Sequence, residues 1–190
     1  RSFNSITVDS DTSTSDTLLL AATGQVRHQR VSSVGDSHLK DFREALRAVC
    51  IDLATQVVRD GEGAQKFVTI DVSGAESAAA ARRIGLAVAN SPLVKTAIAG
   101  GDPNWGRIVM AVGKAGEKAD RDKLSIGMGG VPITVEGQLV EGYDESVTGK
   151  HMAGSEIEIA LDGGVGRGKA RVWTCDLTHG YIEINADYRT

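Results

Sequence analysis

The sequence predicts an α/β fold from two kinds of periodicity and from a change of pattern along the chain. Apolar residues recur at helical spacing over 36–59 and again over 76–90. Between these stretches, apolar and polar residues alternate over 67–72 in the manner of a strand. Beyond a charged segment at 114–123, short alternating stretches are separated by glycine-containing turns. Helices alternating with strands, followed by several short strands, are typical of an α/β chain.

The composition is that of a globular protein and excludes several functional classes. The 190 residues are 41% hydrophobic but only 4% aromatic, so the core must consist mainly of Ala, Val, Ile and Leu. A net charge of −4 with scattered Lys and Arg does not favour a nucleic acid or an anionic membrane as partner. No apolar run approaches the ~20 residues that would span a bilayer, and the N-terminal residues 1–4 are not an apolar segment of signal-peptide type. Cys50 and Cys175 both lie in apolar patterns, which predicts free, buried thiols in a reducing compartment.

The first 24 residues contain two predicted strands separated by a polar run. Residues 3–9 alternate, and the apolar residues 18–22 predict a buried strand that ends at Gly24. The run between them, 9–17, is rich in hydroxyls and carboxylates. It is either a connection whose side chains satisfy local backbone groups or the edge of an active site that holds a polar substrate. No nucleophile is identified in it, because no neighbouring Ser/His pair is visible.

A long helix, capped by Asp36 or Ser37, is predicted to run to about Arg59. Glu62 follows it between two glycines, which allow the backbone to bend sharply and approach another group closely. Glu62 is either a solvated loop carboxylate or a partner for a substrate ammonium group. The apolar stripe of the helix consists of Leu39, Phe42, Leu46, Val49, Cys50, Leu53 and Val57.

The stretch Gly-Gly-Asp-Pro-Asn-Trp-Gly-Arg at 100–107 combines turn residues with a bulky side chain. A helical pattern follows at once, so Pro103 suits the first helical turn and Asp102 a position near the cap. Two interpretations remain open from these residues alone. The stretch is either a buried corner anchored by Trp105 or the wall of a small-molecule site.

The charged segment 114–123 is the predicted internal boundary. After it, residues 157–161 and 170–177 predict a hairpin, and 181–184 predict a last strand. The glycine-rich loop at 163–170 has the spacing of a phosphate loop, but it lacks the Ser or Thr needed for magnesium and joins two strands, so a simple connection is predicted. Further predicted short strands are 124–126, 133–135 and 138–140.

Six blocks spread over the whole chain carry a family resemblance, because they appear in the order that the family shows. On these blocks the chain resembles the β chain of the ornithine acetyltransferases of the ArgJ family. The blocks are 3–9 with 11–14, 60–64, 91–96, 102–107, 173–179 and 185–190.

The resemblance implies a fold and a partner. Residues 1–115 would form a portion of a layered α-β-β-α sandwich, a DmpA/ArgJ-like arrangement that holds the catalytic region. Residues 116–190 would form a smaller α+β C-terminal domain with a mostly antiparallel sheet. The family implies a cytoplasmic α2β2 assembly with the α chain of the same precursor. We therefore expect this chain by itself to expose apolar surface that the α chain covers.

The resemblance also implies an activity, glutamate N-acetyltransferase (ornithine acetyltransferase). Such enzymes cleave their own precursor before a threonine, which becomes the nucleophile and is activated by its own free amine. This threonine takes acetyl from N-acetylornithine and passes it to glutamate; acetyl-CoA is a donor for some members, and no cofactor or metal is implied. The nucleophilic threonine is expected upstream of Arg1. No catalytic residue is therefore assigned in this chain, and the chain alone is expected to be inactive.

Three residues match substrate-binding positions of the family: Glu62, Asn185 and Thr190. The resemblance implies that Glu62 accepts hydrogen bonds from an amino group of the substrate. The Asn185 amide and the Thr190 hydroxyl would hold the polar ends of ornithine or glutamate. It implies no role for the 102–107 block, for which the structural interpretation is preferred. A non-catalytic amino-acid-binding or scaffolding module of the same fold remains the alternative function.

Overall fold

The computed structural model describes residues 2–187, which form one six-stranded sheet and six α-helices. The helices are α1 (Lys40–Arg59), α2 (Ala78–Ala89), α3 (Pro92–Ala99), α4 (Trp105–Lys114), α5 (Glu145–Met152) and α6 (His179–Asp187). The strands are β1 (Phe67–Ala75), β2 (Ser125–Met128), β3 (Val131–Val135), β4 (Gln138–Leu139), β5 (Glu156–Asp162) and β6 (Gly168–Cys175).

The strand order is β4-β3-β2-β5-β1-β6, and β1 lies between two later strands. It pairs parallel with β5 and antiparallel with β6. The predicted hairpin between β5 and β6 is therefore wrong. In this register Ile70 of β1 is opposite Ile159 on one side and Val172 on the other. An internal β1 thus buries its apolar side chains between two apolar strands, which an edge position would not do.

The sheet crosses the predicted internal boundary. β1 belongs to the N-terminal region, before residue 116, and its two neighbours belong to the region after it. The expectation of a separate C-terminal sheet is wrong in this respect, because the backbone groups of β1 bond to strands of the C-terminal region. The division into the two domains 1–115 and 116–190 itself stays a prediction.

One face of the sheet holds the main core. Val68, Ile70 and Val72 point to this face and are at most 3% exposed. They belong to one apolar cluster with Ile84 of α2 and Ile108 of α4. The start of α2 is capped where the helical pattern begins, because the Ser77 hydroxyl accepts a hydrogen bond from the amide of Ala80 at 3.1 Å.

The opposite face is covered at one end by α1. Val58 of α1 is fully buried in a small cluster with Phe67, Trp173 and Cys175. The guanidinium of Arg59 lies 3.8 Å from the centre of the Phe67 ring. Helices therefore lie on both faces of the sheet, and the predicted α/β class is confirmed.

The apolar stripe of α1 is largely exposed in the chain. The helix forms where it is predicted, and the Asp36 carboxylate caps the 3₁₀ turn that precedes it by accepting from the amide of His38 at 3.0 Å. The buried side of α1 is made by Ala54 and Val58 instead of the larger stripe residues. Cys50 is half-buried and Cys175 is buried, and both are free thiols. The exposed stripe residues are Phe42 (55%), Val49 (55%), Leu53 (40%) and Val57 (49%).

Both predicted N-terminal strands are wrong. Residues Phe3–Ser5 form a 3₁₀ turn, and only Ile6 makes a β-bridge, with Trp173. Residues 18–22 have no regular secondary structure, and Leu19 is 86% exposed. A strand needs the backbone bonds of a neighbouring strand, and within the described residues 18–22 pair with none.

The predicted last strand at 181–184 is also wrong, because these residues belong to α6. Asn185 bonds back to the carbonyl of Tyr181 at 3.0 Å, a contact between positions four residues apart that suits a helical turn. The cap of α4 is Asn104, whose side chain accepts from the amide of Arg107 at 3.2 Å, and Asp102 lies two residues before it, near the cap as predicted. Pro103 precedes the cap, so its predicted place in the first helical turn is wrong. No helix among the described residues is long and apolar enough to cross a membrane.

Candidate functional site

The loop that carries Glu62 fits closely against the start of α6. Gly63 has a φ of +68°, in the left-handed region that favours glycine. A Cβ atom at Gly63 would lie 2.3 Å from the backbone nitrogen of Tyr181, so a larger residue would force the loop away from the helix. The close backbone approach that the sequence predicts for a glycine beside Glu62 therefore occurs at Gly63.

The close approach brings two of the predicted site residues together. The Asn185 side-chain amide donates to the Glu62 carboxylate, with 2.6 Å between Nδ2 and Oε2. The two residues are 123 positions apart in sequence, and both are exposed. Thr190, the third predicted residue, lies outside the described residues.

A third segment reaches the same place. The Tyr181 hydroxyl donates to Asp9 Oδ2 at 2.9 Å, which ties the beginning of the polar run 9–17 to α6. This hydrogen bond raises the pKa of Tyr181, because ionising the phenol would cost the bond and place a negative charge beside Asp9. The charges of Glu62 and Asp11 act in the same direction. Several carboxylates thus lie near the start of α6.

The turn at Asp9 is held by its own polar side chains. Thr7 Oγ1 donates to Asn90 Oδ1 at 2.6 Å and accepts from the amide of Ser10 at 3.2 Å. Asp9 Oδ1 accepts from the amide of Asp11 at 3.0 Å. The first residues of the polar run therefore satisfy local backbone groups and also form an edge of the candidate site, so the two interpretations left open from the sequence are compatible.

The arrangement suits binding of a positively charged, polar ligand. Carboxylates accept the charge-assisted hydrogen bonds that an ammonium group donates, and a neighbouring amide can bond either polar end of an amino acid. Within residues 2–187 no group of three or more His, Cys, Asp or Glu side chains has a geometry that could hold a metal ion. Binding and orientation of a substrate are the chemistry that Glu62, Asn185 and Asp9 can supply.

A sizeable cavity lies away from the residues that could bind a charged substrate. A cavity of about 690 Å³ lies on the open face of the sheet and is lined by Asp71, Ser73, Pro132, Lys169 and Arg171 among others, and not by Glu62 or Asn185. The charges of Arg171 and Asp71 are already paired, since Arg171 bonds both oxygens of Asp71 at 2.7 Å. We therefore place the candidate site at Glu62, where the carboxylates converge.

The 102–107 block makes structural contacts. Arg107 on α4 donates to the carbonyl of Leu93 at 2.7 Å and to the hydroxyl of Thr96 at 3.3 Å, which ties α4 to α3. Trp105 is half-buried against the main core. Two residues of the candidate site, Tyr181 and Asp9, were not predicted individually from the sequence. The polar run 9–17 indicated a segment that could border a site, but the fold was needed to show that Asp9 is the residue that contacts α6.

Comparison with known proteins gives one consistent family. The ArgJ family model matches residues 1–190. The chain is 60% identical over 190 residues to the "Arginine biosynthesis bifunctional protein ArgJ" of Gluconobacter oxydans, covering 100% of this chain and 45% of that protein. It is 57% identical to the protein of the same name from Zymomonas mobilis, with 46% of that protein covered. The chain thus spans less than half the length of these curated relatives.

A solved structure agrees in fold. The crystal structure of the arginine biosynthesis bifunctional protein ArgJ of Bacillus halodurans superposes with a TM-score of 0.93 at 35% sequence identity. The match covers 98% of this chain and 87% of that chain. With the family model matching the full sequence, the chain belongs to the ArgJ family.

Proposed function

We propose that the chain supplies the substrate-binding residues of a glutamate N-acetyltransferase (ornithine acetyltransferase) of arginine biosynthesis. The enzyme would transfer acetyl from N-acetyl-L-ornithine to L-glutamate in two half-reactions, through an acetyl-threonine whose threonine is outside this chain. Family membership and the names of the relatives support the pathway. The observation that carries the proposal is the hydrogen bond between Asn185 and Glu62.

The geometry supports a specific division of roles. Glu62 accepts from an amino group of the bound amino acid, while the Asn185 amide beside it bonds a second polar end of the same molecule. In each half-reaction the substrate would be held so that its acetyl or amino group meets the threonine. On the family resemblance we propose that Thr190 also binds the substrate. Positioning of this kind accelerates transfer, because the reacting groups no longer have to find each other in solution.

The proposal extends to the second acetyl donor and to the location of the enzyme. We propose acetyl-CoA as an alternative donor to the same threonine, with no resident cofactor required. Acetyl transfer to an activated hydroxyl needs only a nucleophile, a base and oxyanion donors, which supports a mechanism without a cofactor. We also propose that the enzyme acts in the cytoplasm.

The partner we propose is the α portion of the same precursor, assembled as α2β2. Two observations support it. The chain spans 45% of the length of the Gluconobacter oxydans relative, so more than half of that relative lies outside the match. The chain also carries exposed apolar side chains on α1 and on the segment 18–22, which a partner surface would cover.

The role of Glu62 is tested in a protein of the relatives' full length with the substitution Glu62→Gln. We expect kcat/KM for N-acetylornithine to fall by about ten- to a hundredfold, since a charge-assisted hydrogen bond to the substrate is lost. Asp60→Asn is the matched control, because Asp60 is an exposed carboxylate of the same loop. Steady-state kinetics measure both.

Two outcomes would contradict the proposal. Unchanged kcat/KM in Glu62→Gln would remove Glu62 from substrate binding. Ornithine binding by calorimetry together with no acetyl transfer in the wild-type, full-length protein would favour the amino-acid-binding module instead.

A further inference from the structure

A buried carboxylate outside the site described so far holds the loop of Glu62. Asp176 directly follows β6 and is only 3% exposed. Its Oδ1 accepts from the backbone amides of Gln65 and Lys66, at 2.8 and 3.0 Å. These two amides precede the point where β1 enters the sheet ladder, so one side chain satisfies donors that the ladder does not.

The second carboxylate oxygen of Asp176, Oδ2, is buried and, among the described residues, has no hydrogen-bond partner. Lys95, also 3% exposed, lies nearby and donates to Thr174 Oγ1 at 2.9 Å and to the carbonyl of Cys175. Burial lowers the pKa of Lys95, while the charge of Asp176 is one of the influences that oppose this shift. A buried charge is costly to keep, and a neutral side chain at this position would avoid that cost.

Thr178, two residues after Asp176, makes a second contact with the Glu62 loop. The hydroxyl of Thr178 donates to the carbonyl of Gly63 at 2.6 Å. Asp176 and Thr178 therefore both hold the loop just after Glu62, one through the amides of Gln65 and Lys66 and the other through the carbonyl of Gly63. The chain then enters α6, which carries Asn185. Segment 176–178 is thus the joint between the two halves of the candidate site.

We propose that Asp176 is a positioning residue for substrate binding, which sets the distance between Glu62 and Asn185 and acts through Glu62. This rests on the function proposed above. Loss of the Oδ1 acceptor frees the amides of Gln65 and Lys66, and the loop then samples positions in which Glu62 no longer faces α6. The substrate ammonium loses its oriented acceptor, while the main apolar cluster, to which Asp176 does not belong, keeps all of its side chains.

The test compares Asp176→Ala with Asp176→Asn in the full-length enzyme. Asparagine keeps an oxygen that can accept from both amides, and alanine keeps none. We expect Asp176→Ala to raise KM for N-acetylornithine about tenfold or more, and Asp176→Asn to restore it to within about threefold of wild type. The Tm of each variant is measured first by thermal unfolding, and the kinetics are then measured well below the lower of the two Tm values. This separates a change in KM from a loss of folded protein.

Coupling to Glu62 distinguishes positioning from general destabilisation. If Asp176 acts through Glu62, the double variant Glu62→Gln/Asp176→Ala has a KM close to that of Glu62→Gln alone. Additive increases in KM would overturn the proposal. So would an Asp176→Ala variant that unfolds more easily but keeps the wild-type KM.

A second pair of variants covers the case in which Asp176→Ala does not fold. Thr178→Val loses the bond to the Gly63 carbonyl and keeps the side-chain shape, whereas Thr178→Ser keeps the hydroxyl. We expect a raised KM in the valine variant only, and equal KM values in the two variants would overturn the proposal. If Glu62→Gln itself leaves KM unchanged, the proposed function fails and the positioning role fails with it. If Glu62→Gln raises KM while the Asp176 and Thr178 variants do not, only the positioning role fails.

Discussion

Two apolar surfaces of the molecule have the same kind of sequence pattern, but one is buried in this chain and the other is exposed. On one face of the sheet, Ile70, Ile159 and Val172 are at most 1% exposed beneath α2 and α4. On α1, Phe42 and Val49 recur with comparable regularity and are each 55% exposed. The comparison teaches that apolar periodicity identifies a face that needs covering, but it does not say which polypeptide covers it.

The difference has a simple geometric origin. α1 contacts the sheet through Val58, which packs with Phe67 and Trp173, and through the partly buried Ile51. Ala54 is buried on the same side of the helix. Turning the larger stripe residues toward the sheet would turn Ala54 and Val58 away from it. The helix therefore has two apolar sides, and the sheet covers only one of them.

The largest expected effect tests the covered surface. Ile70→Ala should lower the free energy of unfolding by about 2–5 kcal/mol, because it leaves a cavity between β5, β6 and the helices. Ile182→Ala is the matched control, since Ile182 is 62% exposed on α6 and should change stability by no more than about 0.5 kcal/mol. Chemical denaturation measures both variants. Equal effects at the two positions would mean that the sheet face is not the main core.

The second largest effect is expected at Phe42, in the exposed stripe of α1. In this chain, Phe42→Ala should lower the free energy of unfolding by no more than about 1 kcal/mol, because the ring is largely exposed. In a protein of the relatives' full length, a covered Phe42 should cost about 3–5 kcal/mol on the same substitution. Gel filtration of the full-length variant also reports loss of assembly. The same small effect in both proteins would show that the α1 stripe stays in water.

The smallest effect is expected for the ion pair at the contact of α1 with the sheet. Arg59 bonds both oxygens of Glu156, one of them at 3.0 Å, and this lowers the pKa of Glu156. Since the unfolded carboxyl binds protons at higher pH than the folded one, the stabilisation is complete above the usual pKa of 4.5 and is lost as pH falls through the folded value.

The pair is exposed, so its contribution should be no more than about 1 kcal/mol. Glu156→Gln should abolish this contribution to the acid destabilisation, and denaturant titrations at neutral and acid pH measure it. Glu44→Gln, at an exposed position of α1, is the control. If both variants lose stability with acid as the wild type does, the ion pair does not help to hold α1.

Local signals predicted several helices and strands well, whether or not this chain covers their apolar residues. α1, α2 and β1 occur close to where periodicity predicts them, although α1 begins at Lys40 and β1 continues through Gly74 to Ala75. The wrong predictions share a cause. Residues 18–22 and 181–184 have strand-like composition, but a strand forms only where a neighbouring backbone offers bonds, and sequence pattern does not contain that information.

The site was predictable only to a limited extent. Glu62 and Asn185 were selected because they match family blocks, and the close packing of Gly63 against α6 explains why they meet. Asp9, Tyr181 and Asp176 were not selected, since an isolated carboxylate or phenol has no distinguishing local pattern. Their importance arises from contacts between segments more than a hundred residues apart.

The amino-acid sequence by itself determined the α/β class, most of the regular elements and, through its motifs, the family. Only the tertiary structure decided that β1 separates β5 from β6, that α1 packs on the sheet through Val58, and that Asp176 supports the Glu62 loop. The physical reason is that propensity, capping and periodicity act over a few residues. The free energy of the whole packed chain determines which strands are neighbours, how a helix is oriented and which buried hydrogen bonds form.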